Sequence, residues 1–183
     1  AFSMTMSPAA QKILDAAIQH FAEKGFDAGS LNAIAENAGI KKATIYSHFK
    51  SKEALFLQAF ADAVEKESAF VDACFSSEAF AGEKYLMDVN GRYQASASLR
   101  FLLRTAFIPP EALRPSVHKG YEAFLERIKE CLIAELSPQQ LRTETLYVNA
   151  YLGIVDSVHV ELLYASPQAA EARREALWSL FYA

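Results

Sequence analysis

The sequence predicts an all-α protein of about nine helices. Apolar residues recur every three or four positions along most of the 183-residue chain, which is the period of an amphipathic helix. No stretch alternates apolar and polar residues with the period of two that a half-buried strand requires. Serine followed by proline opens a helical pattern at positions 7, 137 and 166, because serine caps a helix and proline fits its first turn. We expect two helical domains, residues 1–52 and 53–183.

The first helix is expected to begin at Pro8, after the Ser7 cap, and to end at Gly25. Its apolar residues lie on one face, from Ile13 to Phe21. Ser30 is then placed to cap a second helix. A serine hydroxyl beside exposed helix N–H groups is also a candidate phosphate contact, although capping alone would explain its presence.

Residues 31–52 have the pattern of two short helices joined by a tight turn. The first helix has one apolar face, and Gly39 follows it where the chain must turn sharply. Ile40 and Ile45 can pack the second helix back onto the first, and Ala35 is small where the two helices cross. This arrangement is typical of a helix-turn-helix, whose second helix lies in the major groove of DNA.

The charge of this segment favours a nucleic-acid partner. Residues 37–52 contain four lysines and no acidic residue. The whole chain has a net charge of −4, but residues 1–52 have a net charge of +2 and residues 53–183 of −6. A lysine cluster alone is often only a solvated helix face. Together with the turn, the local positive field favours DNA at the N-terminal domain and disfavours it elsewhere.

Three motifs, in order and correctly spaced, resemble the DNA-binding domain of the TetR family. They are FAEKGF at 21–26, IAENAGI at 34–40 and TIYSHFKSKE at 44–53, within a resemblance that extends over residues 13–55. TetR proteins are homodimeric bacterial transcriptional repressors, and each is released from its operator by a small molecule. The resemblance therefore implies a DNA-binding repressor whose partners are double-stranded DNA, a second copy of the chain and an unidentified effector.

The resemblance also implies a set of DNA contacts. Base-contacting positions fall at Lys42, Ala43 and Thr44, and phosphate-contacting positions fall at Tyr46 and Lys52. The other predicted contacts are Ser30, Lys41 and His48. The recognition helices of two subunits would enter half-sites about one helical turn apart, roughly 34 Å, or somewhat more.

The pattern after residue 52 predicts a long helix that is capped by Ser51 and ends near residue 74. Further helices are expected at roughly 78–95, 98–107, 116–136, 138–164 and 167–182. Prolines at 109, 110 and 115 predict breaks between the third and fourth helices of this domain.

The middle of the C-terminal domain is rich in aromatic and arginine side chains, which are suited to line a ligand pocket between helices. Core packing is the commoner role of an aromatic residue at helical spacing, so both interpretations stay open for each of them. The TetR resemblance implies a regulatory cavity in this region. The candidate ligand-binding residues are Tyr85, Tyr93, Arg100, Phe101, Arg104, Phe107, Tyr121, Phe124, Tyr147 and Tyr151.

The last two helices have more apolar surface than the end of a modest domain should expose. Pairing with the same two helices of a second chain, as a four-helix bundle, would cover it, and the resemblance implies the same dimer. The candidate dimer residues are Tyr151, Ile154, Val155, Val158, Leu162, Leu177, Leu180 and Phe181.

The sequence has no pattern typical of an enzyme or a metal site. Asp156 and His159 are one helical turn apart, a spacing that suits a metal ligand pair or a dyad, but a structural role is commoner for such a pair. There is no G-x-S-x-G, no glycine-rich phosphate loop and no C-x-x-C. No apolar run reaches about eighteen residues, and residues 1–7 lack the pattern of a secretory signal. We expect no catalysis, no cofactor, no membrane contact and a cytoplasmic location.

The leading hypothesis is a repressor that leaves a palindromic operator when a small hydrophobic ligand binds. Two alternatives remain. One is a DNA-binding protein that responds to no ligand, and the other is a ligand carrier or an enzyme that uses the central helical segment.

Overall fold

The computed structural model describes residues 6–76 and 81–183, and within these ranges every regular element is a helix. The prediction of an all-α protein is therefore confirmed. Ten α-helices are present in the described residues, with one 3-10 turn (Glu111–Leu113) before the seventh. They are α1 (Pro8–Lys24), α2 (Leu31–Asn37), α3 (Lys42–His48), α4 (Lys52–Phe75), α5 (Ala81–Ala95), α6 (Ala97–Phe107), α7 (Arg114–Glu135), α8 (Pro138–Leu141), α9 (Glu144–Tyr164) and α10 (Pro167–Phe181).

The helix ends near the N-terminus follow the sequence prediction. The side chains of Ser7, Ser30 and Ser51 each accept a hydrogen bond from the backbone N–H three residues later, at 3.0 to 3.3 Å. Gly25 ends α1 with a φ of 74°, and Gly39 has a φ of 67° between α2 and α3. Both glycines occupy the left-handed region, where an L side chain is strained.

An aromatic cluster joins the three N-terminal helices to the rest of the chain. The ring of Phe56 on α4 lies 4.9 Å from Phe21 on α1 and 5.2 Å from Phe101 on α6, measured between ring centroids. All three side chains are at most 1% exposed. Such edge-to-face contacts add to the stabilisation from burial. Phe101, a predicted ligand contact, is therefore a packing residue in the core.

A buried carboxylate connects α4 to the joint between α5 and α6. Glu67 is 1% exposed, and Arg92 Nε donates to both of its carboxylate oxygens at 3.0 and 2.8 Å. The hydroxyls of Ser96 and Ser98 donate to Glu67 Oε1 at 3.1 and 2.9 Å. These bonds compensate the cost of burying the charge. The four residues form one polar unit inside an otherwise apolar contact.

The helix that was expected at 138–164 is divided into α8 and α9. Ser137 and Gln140 form a reciprocal capping box around the single turn of α8. Thr143 then leaves the helical conformation, with φ −123° and ψ 32°. The single long helix was therefore a wrong prediction, because local capping at 137–140 separates one turn from the rest.

Two other boundaries differ from the prediction. Pro115 was expected to interrupt the helical pattern, but it lies in the first turn of α7. Proline is tolerated there because the N–H groups of the first turn form no hydrogen bond within the helix. The helix that was expected from residue 78 is described from Ala81, and positions 78–80 lie outside the described residues.

The predicted dimer residues lie mostly inside the chain's own core. Tyr151, Ile154, Val155, Val158 and Leu162 are at most 6% exposed. Of the three on α10, Leu177 and Phe181 pack partly against the same core, whereas Leu180 is 80% exposed. The five α9 side chains thus have almost no surface to offer a second chain. The apolar face of α9 is buried against α7 and α10 of the same chain, which the sequence pattern could not distinguish from a partner.

No helix in the part of the chain that the structure describes is both long and apolar enough to cross a membrane.

Candidate nucleic-acid interface and interior cavities

Helices α2 and α3 meet at a compact corner. Ile34 on α2 and Ile45 on α3 are at most 1% exposed, and Ala35 is 3% exposed. The N–H of Ile40 donates to the carbonyl oxygen of Ala35 at 2.9 Å and thereby closes the turn around Gly39. The buried side chains hold α3 against α2, so the opposite side of α3 is left for solvent.

The outer side of α3 bears the chemistry predicted for DNA contact. Lys42, Ala43 and His48 are exposed, Tyr46 is 50% exposed, and Thr44 is half-buried. Lys41 precedes the helix and is also exposed. A rigid helix that presents ammonium, hydroxyl and imidazole groups can donate hydrogen bonds to phosphates and to base edges.

Ser30 lies at the start of α2, beside the buried His20. Its hydroxyl oxygen caps the helix, and its backbone N–H donates to His20 Nε2 at 3.0 Å. Burial lowers the pKa of His20, so its unprotonated Nε2 can accept that bond. The hydroxyl proton of Ser30 is still available to an external acceptor.

Lys52 begins α4 and reaches back to the loop between α1 and α2. Its Nζ lies 3.4 Å from the carbonyl oxygen of Asp27 and 4.6 Å from the centroid of the Phe26 ring. These contacts direct the ammonium group along the N-terminal surface and leave it donors to spare.

The positive charges of this surface are not neutralised by any carboxylate in the part of the chain that the structure describes. Among the described residues, none of the four lysines between positions 37 and 52 forms an ion pair; they are Lys41, Lys42, Lys50 and Lys52. Sequence analysis placed three of them in the DNA-binding set and omitted Lys50, which is exposed beside the end of α3. Seven of the eight predicted residues lie on α3, at its N-terminal flank or at the start of α2, and the eighth, Lys52, begins α4.

The predicted ligand residues fall into three groups. Phe107 and Tyr121 line a cavity of about 490 Å³ between α6 and α7, together with Arg114, Val117 and His118. The Tyr121 hydroxyl lies 3.3 Å from Asp156 Oδ1 and 3.4 Å from His159 Nδ1. Burial raises the pKa of Tyr121, so the phenol keeps its proton and can donate it to either acceptor.

The polar groups behind this cavity are incompletely bonded. His159 is completely buried beside the ring of Phe124, and burial lowers its pKa to about 4. His159 Nε2 and the hydroxyl of the buried Tyr85 have no hydrogen-bond partner among the described residues. Unbonded buried polar atoms are uncommon in folded proteins and mark places where a ligand can bind. Sequence analysis noted the spacing of Asp156 and His159 but not their contact with Tyr121, which lies on another helix.

The second group surrounds a cleft of about 300 Å³. Tyr93, Arg100 and Arg104 line it, together with four residues that sequence analysis did not single out: Ala22, Ile108, Leu163 and Tyr164.

The third group packs in the core, outside both cavities. The Tyr151 hydroxyl donates to the carbonyl oxygen of Gly82 at 2.6 Å, and the ring of Tyr147 lies 4.5 Å from that of Phe181. Phe101 belongs to the aromatic cluster already described. Phe101 and Tyr151 are buried and Tyr147 is half-buried by contacts within the chain, which favours the core interpretation for these three.

Within the described residues no group of three or more His, Cys, Asp or Glu side chains could hold a metal ion.

A compact α2–turn–α3 corner with an unneutralised lysine surface, on a larger helical body, defines the class of helix-turn-helix proteins. Residues 13–59 match the model of the family described as bacterial regulatory proteins, tetR family. Residues 13–59 are thus similar to TetR-family regulators, and this match covers about a quarter of the chain.

Curated relatives are similar to a short part of the chain. The chain is 49% identical over 47 residues to IcaR, the HTH-type negative transcriptional regulator of the biofilm operon icaADBC in Staphylococcus aureus strain Newman. It is 46% identical over 54 residues to the HTH-type transcriptional regulator YerO of Bacillus subtilis strain 168. These matches cover 26% and 30% of this chain and only 25% and 19% of the two relatives. The chain thus spans about a quarter or less of the length of these curated relatives.

Solved structures resemble the whole chain in fold. A TerR/AcrR-family transcriptional regulator from Aquifex aeolicus VF5 matches with a TM-score of 0.68 and 22% identity, over 94% of this chain and 99% of that one. The regulator FadR from Bacillus subtilis, in complex with stearoyl-CoA, matches with a TM-score of 0.64 and 19% identity, over 91% and 96%. At these identities the likeness establishes the fold alone.

Proposed function

We propose that the protein is a homodimeric DNA-binding transcriptional regulator, a repressor that leaves a palindromic operator when a small hydrophobic ligand binds. The main support is the surface of α3, where exposed lysines without carboxylate partners surround side chains that can contact bases. Residues 1–52 would bind DNA, and residues 53–183 would bind the ligand and the second subunit. This function involves no catalysis by the protein.

DNA binding would depend on the charges around α3. Lys42, Ala43 and Thr44 would face base edges, with Ala43 suited to an apolar contact such as a thymine methyl group. Tyr46 and Lys52 would bind phosphates and fix the orientation of α3 in the groove. The acidic remainder of the chain, with its net charge of −6, would keep other surfaces away from DNA.

The DNA-binding part is tested with a duplex from the region upstream of the protein's own gene, by gel shift and by fluorescence anisotropy at several salt concentrations. Lys52→Ala removes one phosphate contact, so it should weaken binding to all sequences alike and lower the salt slope by about 1. Lys119→Ala is the matched control, since it removes the same charge from an exposed position on α7. Absence of binding by the wild type would refute the function, and equal salt slopes would refute the role of Lys52.

The outer surface of α9 and α10 is the proposed dimer interface. Leu146 is 73% exposed, Val160 40% and Leu180 80%, on two helices that pack against each other. Gly153 lies between Leu146 and Val160 on the same side of α9. A Cβ atom added at Gly153 would meet no atom within 4 Å, so this side of the helix is open. A flat apolar surface of this kind allows close helix contact with a second chain, and α9 and α10 of two subunits would then form a four-helix bundle.

Sedimentation analysis of Leu180→Glu tests this interface. The added charge should shift the protein from dimer to monomer, and it should leave the fold intact because residue 180 is exposed in the single chain. Met87→Glu is the control, since Met87 is 52% exposed on α5. A wild type that is monomeric at all concentrations, or a dimer unaffected by Leu180→Glu, would refute the proposed interface.

The cavity of about 490 Å³ is the proposed effector site. Its size suits a small organic molecule, and Arg114, His118 and Tyr121 in its lining would provide polar contacts. The similarity in fold to FadR, which was solved with stearoyl-CoA, is consistent with a ligand-binding body. A ligand releases DNA only if it binds the DNA-incompetent arrangement more tightly than the competent one.

Thermal-shift screening with lipophilic compounds, repeated with the bound DNA duplex, tests the ligand. Compounds that fill the cavity should raise the unfolding temperature of the protein and lower its affinity for DNA. Tyr121→Trp should fill the cavity and abolish both effects. If stabilising compounds leave the DNA affinity unchanged, DNA binding by this protein is not regulated by a ligand in this cavity.

A further inference from the structure

Two arginines of α6 each hold the carbonyl end of another helix. Arg104 Nη1 donates to the carbonyl oxygens of Ala22 and Glu23, in the last turn of α1, at 3.2 and 2.8 Å. Arg100 Nη1 donates to the carbonyl oxygens of Tyr93 and Gln94, near the end of α5, at 2.8 and 2.9 Å. A helix C-terminus bears a partial negative charge, so each guanidinium is stabilised there.

These two cations are only partly neutralised. Neither Arg100 nor Arg104 forms an ion pair with a carboxylate among the described residues, and neither donates a hydrogen bond there through Nε or Nη2. Each helix C-terminus is equivalent to about half a negative charge. Two guanidinium charges and two such ends leave an excess of about one positive charge, which is enough to bind a monoanion.

Both guanidiniums border the same cleft of about 300 Å³, which also has an apolar side. Ile108, Leu163 and the ring of Tyr164 line that side. Burial raises the pKa of the Tyr93 phenol, and the charges of Arg100 and Arg104 oppose that rise, which places both guanidiniums near the Tyr93 side chain. The cleft therefore combines a positive wall with an apolar wall.

We propose that this cleft binds a small organic monocarboxylate. Its carboxylate would accept hydrogen bonds from the remaining Nε and Nη2 donors of Arg100, in the forked geometry that a guanidinium group provides. The charge of Arg104, whose Nε and Nη2 edge lies against Gly25, would attract the same carboxylate. Its apolar part would lie against Ile108, Leu163 and Tyr164. This site is distinct from the cavity of about 490 Å³, with which it shares no lining residue.

The position of the cleft connects it to DNA binding, and this consequence depends on the proposed function. Arg104 joins α6 to the end of α1, which is the first helix of the DNA-binding unit. A carboxylate that draws the Arg104 guanidinium toward itself weakens its bonds to the carbonyl oxygens of α1. The ligand then favours the arrangement in which α1 is less firmly held by the body, and DNA affinity falls.

Isothermal titration of the full chain, without DNA, tests the site with benzoate, 2-naphthoate and octanoate. The neutral 2-naphthamide is the control for apolar binding alone. At least one of the three carboxylates should bind the wild type. If 2-naphthoate binds, its affinity should be about tenfold higher than that of 2-naphthamide, because the amide cannot form the charge-assisted hydrogen bonds. If none of the three carboxylates binds, the proposal is overturned.

Variants assign binding to this cleft. Arg100→Gln and Leu163→Trp should each weaken carboxylate binding about tenfold or more, the first by removing charge and the second by filling the cleft. Arg142→Gln is the matched control, because it removes an exposed arginine between α8 and α9. Circular dichroism confirms that each variant is folded. Unchanged binding in both folded cleft variants would overturn the assignment.

A separate measurement addresses the effect on DNA. A saturating carboxylate should lower the affinity of the wild type for its duplex. A concentration that titration shows to saturate Arg104→Gln should leave the DNA affinity of that variant unchanged, because its link to α1 is already removed. If saturation leaves the DNA affinity of the wild type unchanged, the regulatory role is refuted. Failure of the chain to bind any DNA would refute the proposed function instead, and it would not affect the titration made without DNA.

Discussion

Acid should destabilise this protein through the buried side chain of His159. The ring is completely buried, and burial lowers its pKa from 6.5 to about 4 because the charged form loses its hydration. Between these two pH values the unfolded chain binds a proton that the folded chain does not bind. The free energy of unfolding therefore rises with pH in this window and falls as the solution is acidified.

The size of the effect follows from the difference between the two pKa values. One pKa unit corresponds to about 1.4 kcal/mol, so the full difference is worth about 3 kcal/mol. Between pH 7.5 and pH 4.5 the expected loss due to His159 is about 2.5 kcal/mol, since the unfolded state is then almost fully protonated at this residue. Such a loss is a large share of the stability of a small protein.

Urea denaturation at a series of pH values between 4.5 and 7.5 measures this loss. His159→Gln removes the titrating group but keeps a polar side chain that can still bond with Tyr121. The wild type should lose about 2.5 kcal/mol more than this variant over the series. The comparison with the variant cancels the contribution of the carboxylates, which titrate in both proteins.

His118→Gln is the matched control. The His118 side chain is 70% exposed on α7, and its Nε2 lies 3.1 Å from Glu122 Oε1. Because this ring is not buried, His118→Gln should lose about as much free energy of unfolding as the wild type between pH 7.5 and pH 4.5. Parallel losses of stability in the wild type and in His159→Gln would refute the reasoning, because they would mean that burial does not suppress protonation of His159.

Three further predictions concern stability and DNA contact. Ser30→Ala should lower the free energy of unfolding by about 1 kcal/mol, measured by urea denaturation, because it removes the cap of α2. Ser30→Asp should keep the cap but weaken DNA binding in a gel shift, because it places a carboxylate at the proposed phosphate site. Gly39→Ala should destabilise the protein by about 1 kcal/mol, because the φ of Gly39 is 67° and an L side chain is strained there. Gly91 lies in equally open space within the helix α5, so Gly91→Ala should stabilise the protein by about 0.5 kcal/mol. Urea denaturation should therefore show changes of opposite sign for the two variants. Glu67→Ala should cost about 3 kcal/mol by leaving Arg92 without its carboxylate, and a loss below about 1 kcal/mol in the same assay would contradict the importance of this pair.

The sequence by itself determined most of the local structure of this protein, except the division of residues 138–164 into α8 and α9 and the start of α7. Serine caps, the glycine at the α2–α3 turn and the 3.6-residue apolar period act within a few residues of each other, so each can be recognised without a fold. For the same reason the lysine surface of α3 was predictable, since a short segment contains both its charge and its helical spacing.

Contacts between distant segments were decided only by the tertiary structure. The apolar residues of α9 were expected at a dimer interface, but the chain's own helices bury Tyr151, Val155 and Val158. Likewise, nothing local in the sequence indicates that Arg104 reaches α1, 81 residues away, or that Tyr121 meets His159. Helical periodicity shows which residues share a face, but it does not specify what packs against that face, because that depends on where all the other helices lie.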